Sequence, residues 1–137
     1  MHVMEPGIFE ALPDDGCIVR STYIPMVENR FDRLFAIEES SYFCDLGTPA
    51  ALLEANLKVL RGEIATPGYR TPASGIALGK NLAIAPSSTV KNSAIGDGAS
   101  IAGNVTVTQS VVMPGALVTQ SVENTIVCSD GTLLPII

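Results

Sequence analysis

The chain has 137 residues, 47% of them hydrophobic, with 14 acidic against 8 basic side chains and a net charge of -6, so it can bury one core of ordinary size or two small ones in series. A pI near 4.6 and the lack of any Lys or Arg run leave no electrostatic footprint for phosphate backbones or anionic lipid, which excludes nucleic acid and membrane from the expected partners. No stretch reaches the roughly 18 apolar residues that a bilayer span requires, and the expected location is the cytoplasm.

Taken in chain order, His2 to Met4 form a short apolar stub, and Pro6 suits the first turn of a helix through Ile8, Phe9 and Leu12. Pro13-Asp14-Asp15-Gly16 predicts a turn, and residues 18–28, with Pro25 inside, a short broken helix. Arg33 to Ile37 and Tyr42 to Cys44 read as two strands of an antiparallel hairpin around Glu38-Glu39-Ser40-Ser41. A helix over 49–61 follows. Thr48 is placed to cap it, Pro49 fits its first position, Ala50, Leu53, Leu57 and Leu60 share one face, and Gly62 stops it. The three cysteines, Cys17, Cys44 and Cys128, have no CxxC spacing and only His2 to join them, and predict buried free thiols.

Composition shifts after Gly62. The expected organisation is an α+β segment over 1–62, a linker over 63–75 through Thr66-Pro67-Gly68, and a repeat region over 76–137. In the repeat region, aliphatic residues recur at Leu78, Ile84, Val90, Ile95, Ile101, Val107, Val112 and Val118, in steps of six, six, five, six, six, five and six. Residues 83–99 and 100–116 therefore align as two blocks of seventeen, with Ile84 over Ile101, Val90 over Val107 and Ile95 over Val112. Such a period leaves no room for a helix or a hairpin partner and predicts a parallel β-helix. Each coil has three short strands, each sending an aliphatic side chain inward, with Gly, Ser, Asn and Asp at the corners. Val105, Val111 and Leu117 fall beside the inward positions and are expected at the coil surface. The solenoid is expected to fray near Glu123, with Thr132 to Ile137 folding over its open end as a cap.

The run Cys44-Asp45-Leu46-Gly47-Thr48-Pro49, continued by Leu53-Glu54-Ala55-Asn56, resembles the segment that closes the catalytic domain of sugar-phosphate nucleotidylyltransferases, most of all the mannose-1-phosphate guanylyltransferase-like branch. The resemblance extends over nearly the whole chain. Residues 2–12 are similar to the strand and helix that follow an Asn-x-Gly sugar-contact motif in that family. It implies a mainly β fold: a left-handed hexapeptide β-helix, its handedness known only from the resemblance, preceded by a small α+β remnant of the catalytic domain. The family's glycine-rich nucleotide loop, its Glu-Lys-Pro sugar turn and its first metal aspartate have no counterpart here. The implied function is nucleotide-sugar synthesis from a nucleoside triphosphate and a sugar 1-phosphate. The chain alone is expected to be inactive and to serve assembly or regulation, with an upstream catalytic domain as a possible partner.

Asp45 is the residue carried over as functional, because the aspartate of this motif joins an upstream aspartate in binding Mg²⁺, a hard ion suited to oxygen ligands. An equally open reading makes it a turn residue two positions ahead of Gly47. No catalytic residue is assigned. Gly96-Asp97-Gly98 and Gly103 read as coil corners rather than a phosphate cradle, since neither opens a helix. Ser87-Ser88-Thr89 and Thr106-Val107-Thr108 read as coil surface, and Glu38-Glu39 as a solvated loop. A free-standing hexapeptide acyltransferase is the alternative enzymatic reading, but it requires a histidine base on a coil and the only histidine is His2. A non-catalytic oligomerisation module is the third reading. Apolar residues Val3, Phe9, Leu34 and Phe35 are expected to lack neighbours, which predicts a homo-oligomer, most simply a dimer.

Overall fold

The computed structural model describes residues 2–29, 34–40 and 42–137. Its contacts divide the chain into two units, Met1–Ser41 and Tyr42–Ile137.

In the first unit a 3-10 turn spans Pro6–Glu10, with Pro6 at its start as expected. A π-helical turn over Val19–Tyr23 runs into the short helix α1, Ile24–Glu28, which is the broken helix that Pro25 imposes. Burial is sparse. Thr22 is buried and its hydroxyl donates to the Ala11 carbonyl at 3.3 Å, whereas Val3, Phe9, Phe35 and Ile37 stand exposed. The expected hairpin is not formed: 34–37 and 42–44 carry no strand pairing, and Arg33 lies outside the described residues. A lone extended segment has no ladder to hold it. Cys17 is exposed and Cys44 and Cys128 are half-buried, all three free. The expected burial of the thiols is therefore corrected, most clearly at Cys17, which directly follows the Pro13 to Gly16 turn.

The second unit is a parallel β-solenoid of about three turns with a helix laid on one face. Helix α2, Pro49–Leu60, begins at Thr48, whose hydroxyl accepts the Ala51 N–H at 3.2 Å. It ends with Gly62 at φ +74°, Gly62 N–H donating to Val59 O and Glu63 N–H to Lys58 O, the paired carbonyl closure that a left-handed glycine permits. The strands are β1 (Ala77–Leu78), β2 (Ala83–Ile84), β3 (Thr89–Lys91), β4 (Ala94–Ile95), β5 (Ser100–Ile101), β6 (Thr106–Thr108), β7 (Val111–Val112), β8 (Leu117–Val118), β9 (Val122–Glu123), β10 (Thr125–Val127) and β11 (Leu133–Pro135). They stack into three sheets, in the orders β1-β4-β7-β10-β11, β2-β5-β8 and β3-β6-β9. The seventeen-residue alignment is the observed register: Ile84 pairs with Ile101, Val90 with Val107 and Ile95 with Val112.

The inward columns form one core of Ile95, Ile101, Val107, Val112, Val118, Val122 and Val127, together with the corner residues Ala99, Val105 and Ala116. Corners recur in register too. Gly75, Asn92, Gln109 and Asn124 all take positive φ in one corner, as do Asn81, Gly98 and Gly115 in another, and Gly and Asn meet that requirement at least cost. Gly96 has a second constraint, since a Cβ there would lie 2.5 Å from the Pro114 nitrogen of the next coil.

Three expectations about this unit are corrected. Val105 is buried at a corner, inside the core rather than at the surface. Val111 does point away from the coil interior, but it is buried too, because α2 covers it. The solenoid continues past Glu123 through β10, and the carboxy-terminal segment joins one sheet as β11, antiparallel to β10 with Ile126 opposite Leu134 and Val127 opposite Leu133. It covers the end of the coil as an added strand of that sheet, with Leu133 packed against the core.

Candidate functional site

The segment singled out by sequence is a turn, a helix and a covered sheet in series. Asp45 is exposed, and its Oδ1 accepts the Gly47 N–H at 3.0 Å. The side chain thereby closes a local turn that delivers the chain to Thr48 in the extended conformation an N-cap requires. A Cβ on Gly47 would come within 3.2 Å of Asp45 Oδ1, so the glycine keeps that turn tight. That bond engages one of the two carboxylate oxygens. Among the described residues no three His, Cys, Asp or Glu side chains converge as a metal site. Among the described residues Asp45 therefore stands outside any such cluster.

From Thr48 onward, α2 presents Leu53, Leu57 and Leu60 to the outer face of the β1-β4-β7-β10-β11 sheet. They pack in one cluster with Val111 and Ile126, flanked by Ala77, Ala94, Met113 and Leu134. Each buried leucine contributes roughly 1.5–3 kcal/mol. Contacts thus join the helix to the repeat region, whereas composition changes only after Gly62. The signal for this docking is present in the doublets Val111-Val112 and Ile126-Val127: two consecutive apolar residues in a coil strand need cover on both faces. On β3-β6-β9 the outward residues are Thr89, Thr106, Lys91, Thr108 and Glu123, a face suited to water.

The polar side of α2 is tied by exposed ion pairs. Arg61 reaches Glu63 at 2.6 Å and Glu54 at 3.2 Å. The hydrogen bond to Glu63 raises the Arg61 pKa, and the same bond lowers that of Glu63. A small cavity of about 110 Å³ lies between the end of α2 and a solenoid corner, lined by Leu57, Leu60, Arg61, Gly75, Asn92 and Gln109. The first unit holds a larger open groove of about 850 Å³, lined by residues including Val3, Met4, Ile8, Tyr23, Met26 and Phe35. His2 belongs to that unit, with Nδ1 3.1 Å from the Tyr23 hydroxyl.

The second unit is therefore a parallel β-solenoid of the hexapeptide-repeat kind. No protein-family model matches the chain, and no curated protein matches it. Among the described residues no helix is long and apolar enough to cross a membrane.

Proposed function

We propose that this chain is the carboxy-terminal portion of a sugar-phosphate nucleotidylyltransferase of the mannose-1-phosphate guanylyltransferase-like branch, and that it acts as an assembly and regulatory module of nucleotide-sugar synthesis. The observation that carries this reading is the unbroken series Asp45 turn, Thr48-capped α2, and hexapeptide solenoid beneath the helix. On this reading the coil is left-handed and residues 1–62 derive from the catalytic domain. Mg²⁺, if bound, would offset charge on the pyrophosphate being formed, held by Asp45 and by an upstream aspartate that has no counterpart in this chain. What this chain's residues do is narrower. The Gly47 N–H orients the Asp45 carboxylate, and α2 locks that turn onto a rigid platform.

The module reading predicts a homo-oligomer that makes no nucleotide-sugar alone. Purified chain incubated with Mg²⁺, a nucleoside triphosphate and a sugar 1-phosphate should yield no product, while light scattering at micromolar concentration gives a dimer mass. Turnover that disappears in Asp45→Ala would contradict the non-catalytic role. A monomer mass at every concentration would contradict assembly.

A further inference from the structure

Resting on the assembly reading above, we propose that the amino-terminal end of the solenoid is the interface, closed by a second copy of this chain docking coil end against coil end. The two ends of the coil differ. At the first coil Leu78 is 59% exposed and Ile84 and Val90 are only half-buried, although all three head the inward columns. At the last coil the same columns end in Val118 at 1% and Val127 at 0%, sheltered where Leu133 packs onto the core.

The backbone shows the same asymmetry. β1, β2 and β3 are each the terminal strand of their sheet. Ala77 and Gly79 donate their N–H groups to Ser93 and Ile95, and Ala83 and Ala85 donate theirs to Ala99 and Ile101, all in the second coil. Successive peptide groups in a strand alternate in direction, so those of Leu78 and Ile84 face the open end. A strand edge beside an aliphatic surface is normally blunted by charge, yet residues 76–90 carry only Lys80.

The occupant follows from the shape of the gap. Three strand edges around a triangle, with three aliphatic columns inside, are matched by another coil of the same cross-section, and a second copy supplies one. Because β11 occupies the edge of its sheet at the other end, a head-to-tail chain of coils has no matching acceptor, and like end meets like end in a closed dimer. A two-fold axis perpendicular to the coil sets every strand antiparallel across the junction, one strand pairing with its own copy and the other two exchanging partners.

Light scattering and sedimentation over a concentration series test this on the full chain. Wild type should be a dimer. Leu78→Glu should weaken dimerisation by at least ~100-fold, the effect of a buried unpaired charge at the centre of an interface. Leu117→Glu, at an equally exposed position on a side face, should leave the dimer intact. Hydrogen exchange on wild type gives a reading free of any folding defect in the variant: the Leu78 and Ile84 amides should slow as concentration rises. A Leu78→Glu chain that folds and dimerises as wild type would overturn the proposal and leave the assembly reading standing, as would exchange at those amides that ignores concentration in a dimeric chain. A wild-type chain that stays monomeric would overturn both.

Discussion

Ser93 and Ser110 form one rung of a buried hydroxyl ladder. Ser93 Oγ donates to the Lys91 carbonyl at 2.7 Å and accepts the Ser110 N–H from the next coil at 3.0 Å. Ser110 Oγ repeats the arrangement, donating to Thr108 O at 2.6 Å and accepting the Thr125 N–H at 3.1 Å. Ser93 and Ser110 are fully buried and Thr125 nearly so. At this corner the hydroxyl replaces the carbonyl partner that a turning backbone withdraws. Ser110→Ala should therefore strand the Thr125 N–H and cost about 1–3 kcal/mol. Ser88→Ala should cost about 0.5 kcal/mol or less, because Ala85 O keeps the Ser88 N–H. Chemical denaturation checks the pair, and equal losses would contradict the ladder's role.

The inward register can be tested at Ile101, which is 2% exposed in the solenoid core. Ile101→Asp places an unpaired carboxylate there and should destabilise by at least several kcal/mol, enough to unfold the unit at room temperature. Thr106→Asp lies on the solvent face and should change stability by about 0.5 kcal/mol or less. Thermal melts that fail to separate the two variants would reverse the assignment of the faces.

Docking of α2 predicts a different pattern. Leu57→Ala removes a side chain buried against the Val111 and Ile126 column and should cost about 2–5 kcal/mol. Thr48→Ala removes the cap and should cost roughly 1 kcal/mol. Both losses should appear in the same cooperative transition as the solenoid. A separate, earlier melting of the helix would contradict its assignment to that unit.

Acid should loosen the carboxy-terminal strand. Asp130 Oδ1 accepts the Thr132 N–H at 2.9 Å in the turn that leads into β11, and this bond holds its pKa below the ordinary carboxylate value. A lowered folded-state pKa contributes stability that is fully present above the unfolded pKa of roughly 3.9 and is lost as pH falls through the folded value. Amide exchange at Leu133, Leu134 and Ile136 should therefore accelerate below about pH 4, relative to β10 amides, and the acceleration should shrink in Asp130→Asn. An unchanged acid response in that variant would contradict the assignment.

Much of the solenoid is legible in the spacing of Ile84, Ile101 and Val118, because one aliphatic residue per strand repeats at the period of the coil, and a column that must stack leaves that period in the sequence. Helix α2 is legible because Thr48, Pro49 and Gly62 each meet a local requirement. The burial of Val111 is less accessible, since its cover is α2, more than fifty residues earlier in the chain, and only the Val111-Val112 doublet hints at it. The hairpin expected around 33–44 rests on local propensity without a partner strand, and pairing needs one. At Asp45 the residue type admits a ligand or a turn, and its bond to Gly47 N–H fits both, so the motif's meaning depends on what stands opposite the second oxygen.

That dependence sets the most direct measurement. The chain should be joined behind the nucleotide-binding portion of a mannose-1-phosphate guanylyltransferase in place of that enzyme's own carboxy-terminal segment, and nucleotide-sugar formation followed with Mg²⁺. The account predicts turnover by the chimera and its loss in Asp45→Ala, with both proteins folded by circular dichroism. A folded chimera without turnover, or turnover indifferent to Asp45→Ala, would contradict it.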